Sequence, residues 1–263
     1  MTEITAAMVK ELRDATSAGM MECKRALQET SGDFDEAVKL LREKGMASAA
    51  KRADRATSEG KVGVMVRSNV GAIAAIGCET EPVSNNEDFL AYAEKVLTAV
   101  FDGKEADSLE DERVELAAKL GENIQVVGAK RIEASDGDVL AHYVHGPANK
   151  VGALVRTKGD PDVSRSLALH LTFARPTYGA RDEVPQELVD AEREILANSD
   201  EVKSKPENVR EKIVEGQLNK KFYGESVLTE QTWYRGDEST ASVGKFLEEK
   251  GVELLDYAWY AVA

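Results

Sequence analysis

At 263 residues with 42% hydrophobic content, the chain carries enough apolar mass for one large domain or two to three smaller ones, which excludes a disordered protein. Its 48 acidic against 34 basic residues leave a net charge of -14, a field that repels phosphate backbones and points toward a protein partner rather than nucleic acid. It holds no run of about 18 apolar residues, and MTEITAAMVKELRD carries acidic residues where a signal peptide needs a basic and then an apolar segment; a cytoplasmic protein without membrane contact is expected.

Val9, Leu12 and Thr16 recur at i, i+3 and i+7 after Thr5, a candidate cap, and Ser17-Ala18-Gly19 interrupts the pattern before MMECKRALQE resumes it. Met20 and Met21 read first as core, yet two consecutive helical residues cannot both face it, which leaves one thioether for adaptable surface contacts. Ser31-Gly32 ends the second helix. Asp33 with Glu36 forms an acidic variant of the capping box, and Phe34, Ala37, Leu40 and Leu41 stripe a third helix before Gly45. The spacing predicts a three-helix bundle over residues 1–46, then a small-residue, charged linker over 47–60, helical or extended.

The period then changes to two. KVGVMVRSNVGAIAAIGCE holds two β-type runs around Ser68-Asn69, a hairpin signal, and CETEPVSNNEDF joins the second run to a helix striped by Phe89, Ala93, Val96 and Val100. Ser84 with Glu87 reads as the capping box of that helix, and Pro82 is expected to bias Glu81 toward extended backbone. A helix over 111–120 stops at Gly121, and a strand follows in NIQVVGAKRIEA. The same order recurs: VLAHYVHGPANKVGALVRTKG gives strand, turn and strand, and DVSRSLALHLTFA a helix with Leu167 and Leu171 on one side. The expectation is an α+β fold with two related subdomains, 61–139 and 140–263, each built on an antiparallel sheet. The second receives an inserted helical hairpin over about 186–223, PQELVDAEREILAN and PENVREKIVEGQLNKKF, each helix opened by a proline. With little nearby to cover its apolar stripe, the hairpin is expected to project and offer a surface.

Residues with chemistry are sparse. Cys23 and Cys78 lie far apart and read as buried free thiols; His142 and His145 point to opposite faces of a strand, and His170 lies on a helix, so no metal site is assigned. Neither GxxxxGK[ST] nor a GxGxxG after a strand occurs, and Glu79 and Glu81 read as solvated acids rather than an acid–base pair. No catalytic residue and no cofactor are assigned, and bond-making catalysis is not expected.

In order along the chain, LRDATSAGMMECKRAL, SGDFDEAVKLLREKG, AAKRADRATSEG, CETEPVSNNEDF, LGENIQVV, YVHG and KPENVREKIVEGQLNKKF resemble the translation elongation factor Ts family, from about residue 3 to 250. The resemblance implies a guanine nucleotide exchange factor for the GTPase elongation factor Tu, in its GDP-bound and nucleotide-free forms. It also implies an N-terminal ubiquitin-associated-like bundle, a core of two subdomains and a helical hairpin. The family's exchange loop reads Thr-Asp-Phe-Val, its aromatic wedging beside the partner's magnesium and phosphate region; here Thr80 and Val83 match, Glu81 replaces the aspartate and Pro82 the phenylalanine. By the same resemblance Leu12, Met20 and Met21 match bundle contacts to the partner's nucleotide domain, and Gly121 and His145 match core contacts to its distal domain. The chain stops after VELLDYAWYAVA, where many relatives carry a further helical tail, so contacts of that tail are not carried over. The two substitutions in the loop leave a second reading, a divergent paralogue that binds the GTPase without efficient exchange.

Overall fold

The computed structural model describes residues 4–16, 18–236 and 238–262; Ser17, part of the expected helix break, lies outside them. Helix α1 (Ala6–Thr16) buries Val9 and Leu12, and Thr5 caps it by accepting the Met8 N–H at 3.3 Å. Helix α2 (Met20–Glu29) starts on Gly19, whose N–H donates to the Glu22 carboxylate at 3.2 Å, and turns Cys23, Ala26 and Leu27 inward. Asp33 accepts the Glu36 N–H at 2.9 Å and opens α3 (Phe34–Ala50).

The expected stop at Gly45 is absent, and α3 continues through the first residues of the predicted linker to Ala50. Gly45 is there for close packing rather than termination: a Cβ on it would stand 2.8 Å from the Ala118 Cβ of α6 (Glu110–Leu120). The irregular connection shrinks to residues 51–58.

Strands β1 (Glu59–Arg67) and β2 (Val70–Cys78) form the predicted hairpin, with Ser68 at φ 51 in its turn, and β3 (Gln125–Glu133) pairs antiparallel with the other side of β2. The second sheet repeats the arrangement with β4 (Asp138–Val144), β5 (Val151–Lys158) and β6 (Glu253–Ala261), again with the middle strand between two antiparallel neighbours. Each sheet carries one long helix, α5 (Glu87–Phe101) on the first and α7 (Pro161–Ala174) on the second.

Side-chain alternation in the central strands stacks these layers. In β2, Ala72, Ala74, Ile76 and Cys78 face Phe89, Tyr92, Val96 and Val100 of α5, while Ile73 and Ala75 face Leu154 and Ala258 of the other sheet. In β5, Leu154 points to the first sheet, and Ala153 and Val155 to Leu167, Ala168 and Leu171 of α7. The order is helix, sheet, sheet, helix. Complete burial of Leu154 alone contributes about 2 kcal/mol.

The hairpin consists of α8 (Gln186–Asn198), a single turn α9 (Asp200–Lys203) and α10 (Glu207–Gln217), which runs through residues 218–223 into α11 (Gly224–Ser226). Pro185 and Pro206 open its two long helices, as predicted. Its stripe is not left bare: Val189, Leu196, Val202, Val214 and Leu218 form a cluster of their own with Val184 and Val227. Leu188 and Ile195 stay exposed on α8. Helix α12 (Val243–Glu249) then leads into β6.

Of the three histidines, His142 lies in β4 and His145 just beyond its end, so they do not share a strand. His170 is buried in α7, its ring 5.5 Å from Trp233 and nearly parallel to it, with Tyr234 at 6.0 Å. Gln231 donates its amide hydrogens to the Ala174 and Glu225 carbonyls, so its oxygen accepts from His170 Nε2 at 3.1 Å and the Nδ1 lone pair stays unpartnered among the described residues.

Burial holds the His170 pKa below its ordinary 6.5, so the unfolded chain takes up the proton first. This residue's share of stability is complete above about pH 6.5 and is lost as the pH falls toward the folded value. We expect the urea midpoint to fall more steeply with acidification below about pH 6.5 in the wild type than in His170→Gln. His142 is shifted the same way by burial and Arg165, so the slope is reduced rather than abolished; equal slopes refute the role of His170.

Both cysteines are free and buried, as expected. Burial, with the Glu122 carboxylate nearby, pushes the Cys78 thiol up to about 11. Iodoacetamide at about pH 8 should therefore modify Cys78 only after unfolding, because thiolate is the nucleophile. Peptide mapping that finds Cys78 alkylated equally fast in native and denatured protein contradicts this.

Candidate functional site

The joint after β2 is short, and most of its geometry is imposed from outside. The Glu79 and Thr80 N–H groups both donate to Glu122 Oε2 at 3.0 Å, and the Thr80 hydroxyl donates to Glu122 Oε1 at 2.5 Å. The exchange is reciprocal: the Glu79 carboxylate accepts the Asn123 N–H at 2.7 Å and is paired with Arg55 at 3.3 Å. Glu79 is thus a half-buried structural acceptor rather than the solvated acid expected, whereas Glu81 is exposed.

From Thr80 the chain makes one helical turn, α4 (Glu81–Ser84), closed by Ser84 N–H to Thr80 O at 3.1 Å and Asn85 N–H to Glu81 O at 3.2 Å. Glu81 is helical here, not extended. Pro82 sits in the first turn, where its missing N–H would have had no intrahelical partner, and that outweighs the bias it places on its neighbour. Glu81 and Pro82 are exposed, and Val83 packs half-buried on the core beneath α5. Ser84 does not cap α5: it is buried, its hydroxyl donates to Glu81 O at 2.8 Å, and Asn86 is the cap instead, accepting the Asp88 N–H at 2.9 Å.

The far side of the turn is tied to the second sheet. Lys61 Nζ donates to Asn85 Oδ1 at 3.0 Å and to the Ala148 carbonyl at 3.1 Å, and the Val62 N–H reaches Asn149 O at 2.7 Å. These bonds bring the turn that carries His145 beside the start of β1 and the end of α4. His145 lies exposed, its Nδ1 3.2 Å from the Tyr143 hydroxyl and its ring edge-on to Phe173 at 5.4 Å. Phe173 is 59% exposed near the end of α7, off the Leu167/Leu171 stripe. An aromatic outside the apolar stripe was the signal that could have singled it out.

Gly121 closes α6 in the left-handed conformation at φ 74, and a cleft of about 680 Å³ opens beside it between α6 and the bundle, lined by Gly19, Glu22, Arg25, Arg42 and Arg52 among others. Gly121 therefore neighbours the Thr80 joint through Glu122. On the bundle, Met20 and Met21 are 60% and 63% exposed, which overturns their reading as core. They occupy the first two positions of α2, ahead of the inward-facing Cys23, Ala26 and Leu27. Leu12, by contrast, is completely enclosed with Val9 and Leu27 and supports the bundle from inside rather than from its surface.

Among the described residues no group of three or more His, Cys, Asp or Glu side chains could hold a metal ion, and no helix is long and apolar enough to cross a membrane.

Comparison with known proteins matches residues 79–263, from the Thr80 joint through β6, to the family described as Elongation factor TS. The chain is 39% identical over 274 residues to elongation factor Ts of Thioalkalivibrio sulfidiphilus, a match spanning 98% of this chain and 92% of that protein. It is 38% identical over 271 residues to elongation factor Ts of Idiomarina loihiensis, spanning 98% and 91%, and 38% over 269 residues to that of Escherichia coli O139:H28, spanning 100% and 92%. These matches take in the bundle as well as both sheets, and the chain belongs to the elongation factor Ts family of translation elongation factors.

Proposed function

We propose that the chain is a guanine nucleotide exchange factor for elongation factor Tu, acting in the cytoplasm. The observation that carries this reading is a short turn, Thr80–Val83, anchored on both sides and exposing Glu81 and Pro82, on a molecule whose bundle separately exposes two methionines. Such a factor makes and breaks no bond. It binds the nucleotide-free GTPase more tightly than the GDP-bound form, and linkage requires it to weaken GDP by the same factor. A thousandfold faster release needs the barrier lowered by roughly 4 kcal/mol, a modest share of a good interface.

In this reading Met20 and Met21 grip the nucleotide domain, His145 with Phe173 meets the distal domain, and the turn is held against the phosphate and magnesium region. There Glu81 opposes phosphate charge, and Pro82 offers a small, stiff apolar contact in place of a wide aromatic. Release of fluorescent GDP from the cognate GTPase, with and without the chain, tests the reading. Tight binding without acceleration replaces it with the paralogue that docks but does not exchange, a reading favoured by Glu81 and Pro82.

Changing both Met20 and Met21 to Asp should weaken docking by roughly 2–4 kcal/mol, since two carboxylates would be desolvated against an apolar surface. Acidic residues suit the first turn of a helix, so circular dichroism should be unchanged. Undiminished affinity in a titration would remove the pair from the interface.

Pro82→Phe should raise the GDP release rate at saturating factor roughly ten- to a hundredfold, from about 1–3 kcal/mol of added wedge burial, with little change in affinity for the nucleotide-free partner. Equal rates in stopped flow would mean that position 82 is not where GDP is destabilised.

A further inference from the structure

The turn that carries Glu81 and Pro82 is too short to determine its own geometry. A four-residue helix fixes several backbone dihedrals for very few hydrogen bonds, and Thr80, at its N-cap, gives no side-chain bond to it. The hydroxyl that would cap α4 is engaged by Glu122 instead. Three hydrogen bonds of 2.5–3.0 Å run from Glu79 and Thr80 to that one carboxylate and engage both of its oxygens. Bonds to an ionised acceptor are stronger than neutral ones, so the entry to the turn is held chiefly by a residue outside it.

Glu122 follows Gly121, whose left-handed backbone directs the chain from the end of α6 back to the end of β2. The next residue, Asn123, is 2% exposed, and its side-chain amide donates to the Ala53 and Arg55 carbonyls at 3.1 and 2.7 Å, in the segment that follows the bundle. With Arg55 also paired to Glu79, three stretches meet around two carboxylates: the segment behind α3, the exit of β2 and the turn after α6. The bundle's position is thereby referred to the position of α4. On the opposite side the turn is held independently by Lys61 through Asn85.

We propose that Glu122 is a positioning residue for exchange: its carboxylate sets where Thr80–Val83 stand relative to the bundle, and it governs the rate of nucleotide release rather than docking. This rests on the exchange reading above. Glu122 touches neither nucleotide nor reacting atoms in that scheme; it acts through Thr80. A glutamine at 122 keeps the shape but loses the charge. Its one oxygen can still accept both N–H groups, while its NH₂ can only donate to the Thr80 hydroxyl, which must turn from donor to acceptor, so three charge-assisted bonds become neutral and one is reversed. An aspartate keeps the charge and falls one methylene short.

The test pairs stopped-flow GDP release at saturating factor with a titration of the nucleotide-free GTPase, for wild type, Glu122→Gln and Glu122→Asp, and with amide hydrogen exchange on the factor alone. We expect Glu122→Gln to slow release on the order of tenfold with affinity changed by less than about twofold, and Glu122→Asp to fall between it and the wild type. The Glu79 and Thr80 amides should be protected in the wild type and lose protection in Glu122→Gln. Unchanged release in Glu122→Gln overturns the proposal. So does a parallel loss of rate, affinity and unfolding midpoint, which would make the role merely structural. If Glu122→Gln does not fold, Glu122→Asp and the wild-type amides decide, and unprotected Glu79 and Thr80 amides in the wild type overturn it. A wild type that docks without accelerating release overturns the exchange reading and the rate effect with it, while protection at Glu79 and Thr80 still reports the anchoring.

Discussion

Burial of the two central strands on both faces is the constraint on which the other features depend. β2 has no solvent face to offer, because Ala72, Ala74 and Ile76 lie under α5 while Ile73 and Ala75 lie on the second sheet, and β5 is in the same position through Leu154 and its neighbours. A slip of one residue in either strand would exchange its two faces and misfit both layers. The stacking therefore also sets where the strands end. It puts the exit of β2 and the turn after β4 at one end of the molecule, close enough for Lys61 to bond both.

At that end the protein holds its irregular backbone with carboxylates and amides rather than with apolar packing. Glu79 and Glu122 accept backbone N–H groups from each other's segments, and the side chain of Asn123 satisfies two carbonyls behind the bundle. An acidic chain has such acceptors in excess. Its exposed ion pairs, such as Lys119 with Asp88, are each worth little by themselves, about 0–1 kcal/mol, because solvent screens them and two long side chains must be ordered. Partly buried acids that accept several N–H groups do more to position a chain, since leaving those donors unmet would be costly. The amide of Gln231 plays the same part in the second half, joining α7 to the base of the hairpin.

The proposed docking elements differ in stiffness in a way that suits separate tasks. Met20 and Met21 are unbranched and polarizable, and on the first turn of a helix they can adapt to a partner's surface. The Thr80–Val83 turn is held at both ends and contains a proline, so little ordering remains to be done on contact.

The sequence by itself determined the elements, because their signals are local. Alternation in KVGVMVRSNVGAIAAIGCE, apolar stripes such as Leu167 with Leu171, and punctuation by Gly32, Gly121 and the hairpin prolines depend on residues a few positions apart. The motifs at Thr80 and Gly121 were equally legible as strings, which is why the family was readable before the fold was. Tertiary structure decided what those elements meet. Gly45 lies within a helix and is packed against Ala118 of a distant helix rather than ending its own, and Ser84 is no cap because its hydroxyl bonds within its own turn while Asn86 caps α5. Met20 and Met21 are exposed on the first turn of α2, ahead of the buried Cys23, Ala26 and Leu27, and Leu12 is enclosed by the residues it packs against from the other helices of the bundle. Above all, Thr80 is held by Glu122 and His145 stands beside Phe173, contacts between residues far apart in the chain. Such contacts leave no periodicity to read, since they arise only once two buried strands have brought their ends together.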